Sequence, residues 1–92
     1  MNTFLITFEI LPPSFAGQEE VLANGIKTLF NSWARPTSKI WLIKTYLTRE
    51  QVIDYLKGYL GPNDRILVML VNNDWIAINL HNEVVNWMKS GL

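Results

Sequence analysis

TREQVIDYLKGYLGPNDRILVMLV, residues 48–71, decides the architecture: a capped helix, a stop signal and a strand follow one another without a gap. Thr48 and Gln51 are spaced as a capping box, in which the Thr48 hydroxyl accepts from the Gln51 N–H and the Gln51 side chain returns to the Thr48 N–H. Val52, Ile53, Leu56, Tyr59 and Leu60 then recur at helical spacing, with Glu50 and Asp54 on the other side. Gly61 suits a left-handed residue after the last turn, and Pro62 forbids continuation. Asn63 and Asp64 complete the turn. The uninterrupted apolar run Ile66 to Val71, bounded by Asn72 and Asn73, predicts a strand buried on both faces.

Working outward, residues 3–10 alternate as a first strand, with Phe4, Ile6, Phe8 and Ile10 on one face and Leu5, Thr7 and Glu9 on the other. Pro12 and Pro13 force a loop after it. Residues 18–31 form a first helix on the stripe Leu22, Ile26, Leu29 and Trp33, widened by Val21 and Phe30, with Glu19 and Glu20 at the positive end of its dipole. Gly25 inside that helix implies close approach to the sheet. Residues 32–37 make a short edge strand, limited by Pro36, and residues 38–45 a third strand. Residues 75–80 are an edge strand or an extended arm. Residues 82–90 form a last helix, with Val84, Trp87 and Met88 inward and Gly91 as its stop. The order β-α-β-β-α-β plus a C-terminal extension predicts an α+β ferredoxin-like fold: a four-stranded antiparallel sheet with two helices on one face, in a single domain over residues 1–92. The other sheet face needs covering by the C-terminal segment, a second subunit, or both.

Composition narrows the function classes. The 92 residues are 49% hydrophobic and carry no cysteine, which excludes disulfides, thiolate zinc sites and thiol nucleophiles. Eight cationic and eight acidic side chains balance, so no basic field argues for nucleic acid. No apolar run approaches the roughly 20 residues of a membrane span, and Glu9 interrupts the first apolar run, against a signal peptide. A soluble cytoplasmic protein without a membrane partner is expected.

FLITFEI, SKIWLIKT, the 48–71 stretch and the NDW at residues 73–75 resemble the small proteins labelled SinR-like, which are similar to the CRISPR-associated Cas-two proteins and the VapD toxins. The most specific pieces are Trp33, Ser38 and Trp41 in W-x-x-x-x-S-x-x-W and the PNDRILV block. No helix-turn-helix pattern is present. The resemblance implies a ferredoxin-like homodimer and, for the Cas-two and VapD relatives, a metal-dependent endonuclease acting on RNA or DNA with Mg²⁺ or Mn²⁺. Its metal would be held by an acidic residue at the end of the first strand of each subunit. That family position is normally Asp; here it is Glu9, a methylene longer, which weighs against the nuclease.

Glu9 therefore has two readings: a catalytic metal ligand at a dimer interface, joined by Asp64, or a cross-strand ion pair with Arg65. Asp64 and Asp74 follow Asn at turns, where a carboxylate commonly bonds local N–H groups. His81 stands at a helix start, as a surface or capping residue. Trp33 and Trp87 fit core faces, while Trp41 and Trp75 read as core or dimer-interface anchors. Arg35, Lys39 and Lys44 form a modest basic patch. Two functions follow: a non-catalytic homodimeric interaction or regulatory module that binds protein or nucleic acid, and a metal-dependent endonuclease centred on Glu9.

Overall fold

The computed structural model describes residues 1–90. Its elements run β1 (Asn2–Glu9), α1 (Gln18–Leu29), β2 (Ser32–Thr37), β3 (Ile40–Thr45), α2 (Arg49–Leu56), a 3₁₀ turn (Lys57–Tyr59), β4 (Arg65–Val71) and α3 (Asn82–Lys89). The four strands form one sheet in the order β2-β3-β1-β4, with every neighbouring pair antiparallel. The chain is thus an α+β fold with a four-stranded antiparallel sheet and three α-helices among the described residues. The Gly91 stop expected for the last helix lies outside the described residues.

Register assigns the faces. Phe4 pairs with Ile43 and Leu70, Ile6 with Trp41 and Val68, and Phe8 with Ile66. Paired residues project to the same side of an antiparallel sheet. Phe4, Ile6, Trp41 and Ile43 pack with Leu22, Ala23 and Ile26 of α1 and Val52 and Leu56 of α2 in one core cluster. Both helices therefore cover one face.

Helix α1 ends at Leu29, two residues earlier than its periodicity suggests, because Phe30 is already extended. Val21 and Leu29 are exposed, and Ala23 and Gly25 take the buried positions. Trp33 belongs to β2 rather than to the helical stripe. The close approach at Gly25 is to Tyr59, not to the sheet. A Cβ there would stand 2.9 Å from the tyrosine ring.

The capping box at α2 forms as its spacing predicts, with Gln51 N–H donating to Thr48 Oγ1 (3.1 Å) and Thr48 N–H to Gln51 Oε1 (2.9 Å). Beyond Leu56 the chain tightens into the 3₁₀ turn. Gly61 does not adopt the left-handed backbone that its position suggests. Its glycine is required by packing, since a Cβ would collide with Ser14 Oγ and lie 3.2 Å from Asp64 Oδ2.

The largest correction concerns β4. Its bounds match the apolar run, but it is an edge strand with β1 as its one neighbour. Leu67, Met69 and Leu70 are 50%, 49% and 61% exposed, so the strand is not buried on both faces. Its apolar outward side is left uncovered by the described residues.

Candidate interaction surface

The face opposite α1 and α2 presents Thr3, Leu5 and Thr7 of β1, with Lys44, Leu42 and Ile40 of β3 and Val71, Met69 and Leu67 of β4 at the paired positions. The C-terminal segment covers one corner of it. Lys44 is buried and its Nζ donates to the carbonyls of Trp87 (2.7 Å) and Ser90 (2.8 Å), with the Trp87 ring 4.1 Å away. A cation at the carbonyl end of a helix satisfies groups that have no partner within it. Burial holds the Lys44 ammonium below the usual lysine range. The Trp87 indole N–H donates to Ser32 Oγ at 3.0 Å, and Met88 is buried. Helix α3 is thereby fixed over β2 and β3.

The rest of this face stays open. A hollow of about 400 Å³ runs between Leu5, Leu42, Val71, Trp75 and Met88. Beside it the chain from residue 72 to residue 81 passes from β4 at one edge to α3 at the other. No strand is assigned to residues 75–80, so the arm reading holds over the edge-strand reading. Ile76 and Ile78 are 95% and 84% exposed. Asn79, at φ 63°, then turns the chain toward α3, in a backbone region that Asn tolerates better than most residues.

The end of β1 carries the predicted acidic group. Glu9 pairs in register with Arg65, and Arg65 Nη1 donates to Glu9 Oε1 at 2.9 Å, with both side chains more than half exposed. Asp64 lies next to Arg65 in sequence but is engaged elsewhere. Its Oδ1 accepts from the Leu11 N–H (2.8 Å), and its Oδ2 accepts from the Gly61 N–H (2.6 Å) and the Ser14 hydroxyl (2.7 Å). The Leu11 N–H foremost, then the Gly61 N–H and the Ser14 hydroxyl, hold the carboxyl below the usual aspartate range. Asp64 ties the loop after β1 to the turn before β4. Among the described residues no three acidic, histidine or cysteine side chains gather as a metal site. A hard divalent cation needs about six oxygen ligands. Within one chain Glu9 faces a guanidinium and Asp64 is occupied by three donors, so these residues do not fit such an ion.

The remaining candidates separate. His81 occupies the N-cap position of α3, but its side chain makes no capping bond and is exposed. At Asp74 the local bond runs the other way, with the Asp74 N–H donating to Asn72 Oδ1 at 3.0 Å. Trp41 is fully enclosed within the chain, so of its two expected roles the core is the one it fills. Trp75 is half-buried beside the hollow and donates to Asn73 Oδ1 at 3.2 Å. Lys39 pairs with Glu19 at 3.7 Å, away from Lys44, which breaks up the expected basic patch. Sequence reasoning missed Leu67, Met69, Ile76 and Ile78 as surface groups. The alternation of Ile76, Ile78 and Leu80 is the one signal that could have found the last two. No helix of the described residues is long and apolar enough to cross a membrane. No protein-family model, curated protein or solved structure matches this chain.

Proposed function

We propose that the chain is a non-catalytic homodimeric interaction or regulatory module with a ferredoxin-like fold, of the type its likeness to SinR-like and Cas-two proteins implies. The element order β-α-β-β-α-β and the sheet order β2-β3-β1-β4 support that fold. The observation that carries the dimer is the near-complete exposure of Ile76 and Ile78 on an arm that the described residues leave without a partner.

The arm of one copy extends the sheet of the other along β4. An edge strand offers a row of free N–H and C=O groups, which an extended segment satisfies as in any sheet. Ile76 and Ile78 then lie against the outward side chains of β4, and Leu67 and Met69 leave water. Each fully buried side chain of this kind is worth about 1.5–3 kcal/mol. The arm cannot reach its own β4 in this way, because it leads directly to α3, which is docked on β2 at the opposite edge.

Sedimentation equilibrium across the micromolar range tests this. The wild type is expected at twice the 10.6 kDa chain mass. The double variant Ile76→Asp, Ile78→Asp is expected to weaken association at least a hundredfold, about 2.7 kcal/mol, with the circular dichroism of the folded chain retained. A wild type that stays monomeric throughout refutes the proposal, as does a double variant that dimerises as tightly.

A further inference from the structure

Among the described residues four cations close ion pairs: Lys39 with Glu19, Arg49 with Glu50, Lys57 with Asp54 and Arg65 with Glu9. Lys44 holds the end of α3. Of the rest, Lys27 and Arg35 meet at one place, where α1 passes the edge strand β2. Lys27 Nζ lies 5.4 Å from the centre of the Trp33 ring and 5.9 Å from that of Trp41. The Arg35 guanidinium carbon is 4.8 Å from the Trp41 ring. The two indoles are 5.4 Å apart and tilted by 52°. Neither cation forms an ion pair among the described residues.

A second observation falls on the same cluster. Among the described residues two buried side-chain polar atoms lack a hydrogen-bond partner, Arg35 Nε and Trp41 Nε1. Both belong to the stacked Arg35–Trp41 pair, and Trp41 itself is fully buried. Buried N–H groups are nearly always bonded, and an exception calls for an explanation such as an absent ion or water. Lys, Arg and Trp side chains donate hydrogen bonds and accept none. Arg35 Nη2 donates to the Ser38 carbonyl at 2.9 Å, so Arg35 Nε, Trp41 Nε1 and the Lys27 ammonium are the groups at this corner that ask for an acceptor with negative charge.

We propose that the corner formed by Lys27, Trp33, Arg35 and Trp41 binds a nucleotide unit, its phosphate taken by Lys27 and Arg35 and its base stacked on Trp33. The guanidinium N–H groups that Ser38 does not hold match phosphate oxygens. Trp33 is 37% exposed and supplies the flat apolar surface that a base needs. Lys27 is an exposed side chain without an ion pair among the described residues, so its ammonium is free to take the anion. A base within a duplex is not free to stack on a side chain, which selects a free nucleotide or a single strand. The site does not rest on the dimer, since β2 is the edge opposite β4.

The test is an NMR titration of the full chain, following its four indole N–H signals, with those of Trp33 and Trp41 assigned by Phe variants. The probes are inorganic phosphate, uridine monophosphate, an oligouridylate octamer and octaglutamate. Uridine monophosphate or the octamer is expected to move the Trp33 and Trp41 signals and leave Trp75 and Trp87 in place. Lys27→Glu, on an exposed helical side chain, is expected to weaken that binding at least tenfold. The octamer's logarithmic salt slope is expected at about −0.7, for the one phosphate that the site takes. Tighter binding of the octamer identifies a single strand as the source, and equal binding identifies a free nucleotide. The proposal is overturned if the Trp33 and Trp41 signals stay still, or if octaglutamate or inorganic phosphate binds as well as the nucleotide. Binding unchanged in Lys27→Glu overturns it as well.

Discussion

The two edges of this sheet are built in opposite ways. Strand β2 carries Pro36, breaks register between Ala34 and Thr37, and lies under α3. Each of these devices stops a further strand from pairing there. Strand β4 has none of them. It pairs with β1 in unbroken register from Arg65 to Val71, and it presents Leu67 and Met69 to water. The two edges are thus treated in opposite ways among the described residues. One is closed by the C-terminal helix, and the other is open.

The largest expected break of this contrast is at Lys44, which makes the β2 edge the covered one. Lys44→Met keeps the length and apolar stem of the side chain but removes the ammonium that donates to the Trp87 and Ser90 carbonyls. Hydrogen bonds to a charged group contribute about 1.5–3 kcal/mol. A loss of that order is expected in urea unfolding, along with faster amide exchange confined to Asn82–Lys89 and the strand beneath it. Uniform acceleration across α1 and α2 would mean that Lys44 supports the whole core rather than the α3 cover.

Much of this contrast is legible in the sequence, but not all of it. Pro36 marks β2 as an edge, and the cap and turn signals around α2 bracket β4 at its observed bounds. The apolar run Ile66 to Val71 misleads on burial. Such a run reports how much apolar surface a strand carries, not whether its own chain or another covers it. Glu9 opposite Arg65 follows from strand register and is present. The grip of Lys44 on α3 is not readable, because it joins groups 43 and 46 positions apart that only the tertiary fold brings together. For the same reason Lys27, in a helix, gives no sign that it will meet Trp33 and Arg35 across the edge strand. Gly61 shows a local rule overridden. Its position after a helix fits a left-handed cap, but the space around Ser14 and Asp64 is what excludes a side chain.

A smaller break is expected at Asp64, which fixes where β4 begins. Its folded-state pKa is lowered, chiefly by the Leu11 N–H. A carboxyl depressed in this way contributes stability above the unfolded value of about 3.9, and loses it as pH falls through the folded value. Asp64→Asn is therefore expected to lower the urea midpoint at neutral pH. The gap to wild type should narrow as pH drops below about 4, where the wild-type carboxyl itself takes up a proton. A gap of constant size down to the acid limit would show that the loss comes from packing against Ser14 rather than from charge.

The smallest effect is expected at Glu9, which pairs in register with Arg65. Its contact with Arg65 is an exposed ion pair, and such pairs contribute about 0.2–1 kcal/mol and less at high salt. Glu9→Ala is thus expected to leave the fold and the β4 edge nearly unchanged, with any difference in urea midpoint disappearing in molar salt. The same variant sharpens the functional contrast. Incubated with labelled RNA or duplex DNA and Mg²⁺ or Mn²⁺, wild type and Glu9→Ala purified in parallel are expected to behave alike. Among the described residues the partner of the Glu9 carboxylate is a guanidinium that already compensates its charge. Cleavage present in the wild type and lost in the variant, with association intact, would instead require Glu9 to leave Arg65 for a cation. The open edge would then serve to bring two such carboxylates together, and the interaction reading would give way to catalysis.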